Sequence, residues 1–300
     1  MKIKTLAVLV LGTLLLGLDA RAATYYVATT GSDANPGTAA SSPWRNPQKC
    51  LQAPVQAGDI CLVGDWTYSP IGSASAVISA AVSGTAQLPI TVKSINKFGA
   101  KLLLGGNVDG HNDGISIQSK SYITLDGFEI HQTASSANGL TAVSVGIHMN
   151  GVTGIVIKNV WIHHIGRFVC SASVYGNTGI GGGWWGPWTN VTIDNSIISN
   201  VGRLRGQYPN QEIDPQTGSL CTKTAGNGGL DQNDHGMYID GLTSPGINGL
   251  TITRNVMYDN NRGYTLQFYG SDGTTNPACC VVQNVKIWNN TFADGKPATA

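Results

Sequence analysis

Ile155-Val-Ile-Lys-Asn159-Val-Trp-Ile162 reads apolar, any, apolar, then a turn residue, then apolar again. The pattern returns at Ile123-Thr-Leu-Asp-Gly-Phe-Glu-Ile130, Val191-Thr-Ile-Asp-Asn-Ser-Ile-Ile198, Leu250-Thr-Ile-Thr-Arg-Asn-Val-Met257 and Val285-Lys-Ile-Trp-Asn-Asn-Thr-Phe292. Successive starts, taken in chain order, lie 32, 36, 59 and 35 residues apart, so one repeat carries a long insertion. A recurring period of this size means stacked units, none of which buries its apolar face alone.

A second strand series runs between these segments: Gly114 to Gln118, Gly146 to Asn150, a degenerate Gly179 to Trp185, Gly236 to Asp240, and Thr265 to Tyr269. Each unit therefore holds three strands. The architecture this predicts is all-β, a right-handed parallel β-helix in which like residues of successive coils stack about 4.8 Å apart. Asn159, Asn195 and Asn289 occupy the bend, where asparagine tolerates the left-handed conformation, and Gly127 fills the same place. In the fourth repeat either Arg254 with Met257 or Asn255 with Tyr258 fits the register. Asn46-Pro47 opens the one short helical window, expected as a cap over the N-terminal end of the stack.

Residues 1–22 read as a secretory signal: Lys2 and Lys4, an apolar run from Leu6 to Leu18, and Ala20-Arg21-Ala22 as cleavage site. The run is too short to span a membrane. A secreted or periplasmic location follows, with an entry region at 23–63 and the β-helix at 64–300, expected as a monomer. Removing the signal leaves fifteen Lys and Arg against sixteen Asp and Glu, a balance that implies neither nucleic acid nor an anionic membrane as partner. Six cysteines in an exported chain favour disulfides. Cys50 with Cys61 would staple the entry region and Cys170 with Cys221 would join two loops, while the state of adjacent Cys279 and Cys280 stays open.

Alternation in the second series turns Ile115/Ile117, Ile147/Met149, Met237/Ile239 and Leu266/Phe268 inward. Their neighbours form two outward ladders, Ser116, His148, Tyr238 and Gln267 beside Gln118, Asn150, Asp240 and Tyr269. Histidine, tyrosine and aspartate in one patch suit a ligand groove better than a bare solvated face. Trp184, Trp185 and Trp188 could stack on sugar rings or cover a glycine-rich coil. The isolated His163-His164 pair reads as structural. The loop from Gly202 to Asn233 accounts for the long gap, as a loop or as a loop with one irregular coil. It leads into Asp231-Gln-Asn-Asp234-His235.

The start of the mature chain, Tyr25-Tyr-Val-Ala-Thr-Thr-Gly31-Ser-Asp33-Ala-Asn35-Pro36-Gly37-Thr38 with Pro43-Trp44 and then Ala57-Gly58-Asp59-Ile-Cys-Leu-Val63, resembles the opening of secreted β-helix proteins of the pectate-lyase-like superfamily. That resemblance implies an extended polysaccharide as partner. It also implies Ca²⁺-assisted β-elimination on a uronic-acid polymer, in which a cation against the sugar carboxylate acidifies the neighbouring proton. No family's catalytic set is transferred residue by residue; by position alone, Asp231, Asp234 and Asp240, closely spaced where a loop enters a strand, are the expected oxygen ligands for Ca²⁺. Lys223 or Arg262 is the base, with His235 or Tyr238 as alternative proton-transfer groups. His148, Asn150, Trp184, Trp185, Gln267 and Tyr269 contact substrate. The superfamily also holds hydrolases and non-catalytic surface proteins, so a carboxylate hydrolase and a glycan-binding module are the competing expectations.

Overall fold

The computed structural model describes residues 22–105, 111–133, 135–136, 143–167, 176–202, 204–205, 212–213, 234–241, 245–260, 264–270 and 281–293, with His111 and the segments at 204–205 and 212–213 described by backbone alone. Apolar alternation along each strand directs its core residues toward a common axis, and three parallel sheets run the length of the molecule. The first sheet stacks Ala76–Ser79, His111–Gln118, Val143–Asn150, Thr178–Gly182, His235–Asp240 and Leu266–Tyr269. The second runs from Thr24–Val27 through Ile60–Val63, Ile90–Ser94, Ile123–Asp126, Val156–Lys158, Trp188–Asp194 and Ile247–Thr253 to Val282–Trp288. The third holds Thr67–Tyr68, Lys101–Leu103, Glu129–His131, Trp161–His163, Ile197–Ser199, Val256–Tyr258 and Thr291–Ala293. This is the expected three-strand coil, and it starts two coils earlier than the repeats quoted above.

Register places the repeat residues on top of one another: Leu125, Ile157, Ile193, Ile252 and Ile287 form one column. Ile130, Ile162, Ile198, Met257 and Phe292 form another. All but the last of each column are fully buried. Each such side chain contributes about 1.5–3 kcal/mol through the surface it removes from water. At the bend Asn159, Asn195, Arg254 and Asn289 all have positive φ, so the fourth repeat takes the Arg254 register. The asparagine ladder bonds as expected, Asn195 Nδ2 donating to Asn159 Oδ1 at 2.7 Å. Unforeseen was a second ladder one residue on: buried Asn255 accepts from Ser196 N and donates to Ile193 O, and Asn290 repeats this towards Asn255 N and Ile252 O.

The insertion adds no coil. Thr178–Gly182 pairs directly with His235–Asp240, and Trp188–Asp194 with Ile247–Thr253. Its described residues form an antiparallel pair, Leu204–Arg205 with Glu212–Ile213. The helical window is a single 3-10 turn, Pro47–Leu51, whose Asn46 makes no side-chain cap. Asn46 instead donates its amide to Asp33. That aspartate also accepts from Arg45 N and Asn46 N, while Asn35 bonds Pro43 O and receives the Trp44 indole N–H on its own carbonyl. The opening motif is thus a set of side chains that closes the first turn around Trp44, which stacks on Tyr25 at 4.5 Å. Asp59 likewise holds Ala23 N and Gln56 N. Cys50–Cys61 is disulfide-bonded; Cys170, Cys221, Cys279 and Cys280 lie outside the described residues, as does the signal segment 1–21.

Candidate functional site

The outward ladder of the first sheet has the expected register. Ser116, His148, Gly181, Tyr238 and Gln267 stack in order, and Asp240 lies beside Tyr269. Gly181 leaves a gap between His148 and Tyr238, and the indole of Trp184 lies near both, 4.9 Å from the His148 ring and 6.1 Å from Tyr238. Rings then continue along the face: His235 stacks on Tyr238 at 5.0 Å, Tyr264 lies 6.2 Å beyond His235, and Tyr269 lies 6.1 Å from Tyr238. Trp185 is 70% exposed, Tyr264 52% and Tyr269 43%, so the strip presents aromatic faces to solvent where sugar rings can stack. Gln267 is partly exposed beside them. Trp188 is different: it is fully buried in the second sheet with its indole N–H on Met149 O, filling the coil interior.

Two residues expected to meet substrate are buried instead. His148 and Asn150 are each 3% exposed. The Asn150 carbonyl oxygen accepts from Gly183 N at 2.8 Å and Trp185 N at 3.3 Å, which fixes which end of the amide is nitrogen. That nitrogen donates to Gln118 Oε1 at 3.0 Å and to His148 Nε2 at 2.9 Å. His148 Nε2 is therefore an acceptor, and the imidazole proton sits on Nδ1, 3.0 Å from Asp113 Oδ2. All four hydrogen-bonding positions of Asn150 are filled, so its work is to hold the turn that carries Trp184 and Trp185. Asp113, which sequence reasoning missed because the strand series was begun at Gly114, anchors this network; its Oδ1 is buried without a hydrogen bond among the described residues.

The three-aspartate calcium cage does not fit the described residues. Asp234 precedes the extended strand His235–Asp240 and Asp240 ends it, so six residue steps separate them by roughly 20 Å. One ion cannot bind both. Asp234 is fully buried and its Oδ1 accepts from Asn177 N and Asn177 Nδ2, which ties two coils together. Asp240, 2% exposed, lies close enough to Tyr238 for its charge to act on the phenol. Asp231, Lys223 and Arg262 lie outside the described residues.

Burial and then the Asp240 charge push the Tyr238 phenol well above its usual range, so it stays protonated at any physiological pH. Burial pulls His235 down to about 4, with Asp234 acting the other way. Its Nδ1 accepts the Tyr264 backbone N–H at 3.1 Å, a bond only a neutral ring can make. His235 thus carries its proton on Nε2 and is a donor, not a base, in this state. Above the unfolded value near 6.5 both states are neutral; between there and 4 only the unfolded chain takes the proton, so stability falls with pH. We expect a loss of up to about 3 kcal/mol from this residue by pH 4. Denaturant titrations of wild type and His235→Gln across that range check it, the variant showing the shallower fall.

A second cluster lies on the third sheet. Glu129 and His131 of one coil and His163 of the next bring their ligand atoms within 4.8 Å of one another. Burial raises Glu129, but Lys101 at 2.8 Å and the His163 hydrogen bond outweigh it, and the carboxyl sits below its ordinary value. Burial pulls His163 down to about 4.

Among solved structures, a GH136 lacto-N-biosidase from Eubacterium ramulus is similar with a TM-score of 0.52 and 14% identity, over 79% of this chain and 41% of its own. A rhamnogalacturonan lyase matches at TM-score 0.44 and 17% identity over 91% and 73% of the two chains. A pectate lyase matches at 0.43 and 15% over 91% and 78%. The fold is a parallel β-helix. This β-helix spans about two fifths of the length of the lacto-N-biosidase chain, and at such identity the likeness concerns architecture. No protein-family model matches the sequence, and no curated protein does. Among the described residues no helix is long and apolar enough to cross a membrane.

Proposed function

We propose that this β-helix acts on an extended acidic polysaccharide laid along its first sheet. The observation that carries the proposal is the continuous aromatic strip from Trp185 through Trp184, Tyr238 and His235 to Tyr264, with ring spacings of 5.0–6.2 Å. A row of rings that crosses from coil to coil and is exposed at Trp185, Tyr264 and Tyr269 matches a linear chain of sugars better than it matches a compact ligand.

In its finer form the proposal is β-elimination on a uronate polymer. That reaction needs a base at the proton beside the carboxylate and an acid at the leaving glycosidic oxygen. Tyr238 suits the acid half, because burial and the Asp240 charge keep its hydroxyl protonated. Lys223 or Arg262 remains the proposed base. A hard cation would acidify the sugar proton; the described carboxylate nearest this chemistry is Asp240, and Asp234 takes no part in holding one. Secretion is proposed on the signal segment.

A second reading is a glycan-binding module without turnover. The saturation of Asn150 and the burial of His148 favour it, since both then serve only to position the tryptophan turn. Incubation with polygalacturonate and alginate, with Ca²⁺ or with chelator, separates the two. Lyase action produces unsaturated uronate, read as rising ultraviolet absorbance, whereas a hydrolase releases reducing ends without it. Absence of any product on every uronate polymer, with retained pull-down on insoluble glycan, would sink the enzymatic reading and leave the binding one.

A further inference from the structure

We propose that Glu129, His131 and His163 form a binding site for one divalent transition-metal ion of the zinc type, placed on the third sheet and separate from the aromatic face. Two imidazoles and a carboxylate are a donor set zinc accepts, at bond lengths of about 2.0–2.2 Å. Tetrahedral bonds of that length put neighbouring donor atoms about 3.3–3.6 Å apart. Glu129 Oε1 lies 3.2 Å from His163 Nε2 and 3.5 Å from His131 Nδ1, so two edges of the polyhedron are already in place. The His131 and His163 rings stack at 5.2 Å, and tilting them towards Glu129 closes the third edge.

The surroundings point the same way. Among the described residues His131 Nδ1 is buried without a hydrogen bond, which costs stability and leaves its lone pair free to ligate. Lys101 holds Glu129 Oε2 at 2.8 Å and so leaves Oε1 for the ion. His163 Nδ1 meets His164 Nδ1 at 2.6 Å, the outer partner a ligating histidine needs to hold its ring and tautomer. Three of the chain's six histidines gather here. Because Glu129 and His131 belong to one coil and His163 to the next, the ion would tie two coils together.

The experiment uses tag-free chain stripped with EDTA and dialysed, titrated with Co²⁺ by absorbance and with Zn²⁺ by calorimetry, with thermal melts alongside. We expect saturation at one equivalent, the visible bands of four- or five-coordinate cobalt, and a raised melting temperature. His131→Gln and His163→Gln should each weaken binding at least tenfold, in line with the loss of one of three protein ligands, with melts in EDTA confirming that they fold. The proposal is overturned if wild-type protein shows no saturable one-to-one cobalt spectrum, a result that needs no variant, or if both variants bind as tightly as wild type.

Discussion

Gly146→Ala is expected to cost about 3 kcal/mol, at the upper end of what overpacking does, and to lower the melting temperature by several degrees. Gly114, Gly146, Gly179 and Gly236 begin the first-sheet repeats and stack coil on coil. A Cβ on Gly146 would lie 2.5 Å from Gly179 O and 2.6 Å from a methyl of Ile162; one on Gly114 would lie 2.5 Å from Gly146 O. The nearest obstacle is a backbone carbonyl of the next coil, which cannot swing aside as a side-chain tip can. The strain must therefore spread along the sheet, displacing His148 two residues away. Urea denaturation of the variant checks this, and a midpoint within experimental error of wild type would show that the coils separate more easily than their packing implies.

On the proposed lyase reaction, Tyr238→Phe is expected to lower turnover by about 10²–10⁴-fold while leaving glycan affinity and melting temperature nearly unchanged. The substitution keeps the ring that stacks on His235 and lies beside Trp184, and removes only the hydroxyl that burial and the Asp240 charge keep protonated. Trp185→Ala should do the reverse, weakening binding through loss of an exposed stacking face while sparing the proton-transfer group. Steady-state rates on the best uronate polymer, set beside affinity electrophoresis in the same polymer, make the comparison. Equal losses of rate and affinity in Tyr238→Phe would assign the hydroxyl to binding alone.

Much of the site was legible because a β-helix repeats. Once two strands are aligned, inward and outward positions follow for every coil, which is why the His148, Tyr238 and Gln267 ladder and the Asp240 and Tyr269 pair have the expected register. The same alternation applied to the third strand series would have put Glu129, His131 and His163 on one outward face; attention to His163 and His164 as chain neighbours hid their partners 32 and more residues away. Asp234 and Asp240 misled for the opposite reason. Closeness in sequence suggested one site, yet an extended strand carries residues apart at about 3.3 Å each.

Periodicity alone determined the three-strand coil, the columns of Ile and Leu at its core and the left-handed bends at Asn159, Asn195 and Asn289, because each follows from local pattern and backbone preference. Only the tertiary structure decided that Asn150 is consumed by the tryptophan turn, that Asp113 stands behind His148, and that two coils share Glu129 with a histidine pair. Those facts depend on which side chains reach across coils and how much water they exclude, and hydrogen-bond saturation and burial are properties of the stack that no single strand carries.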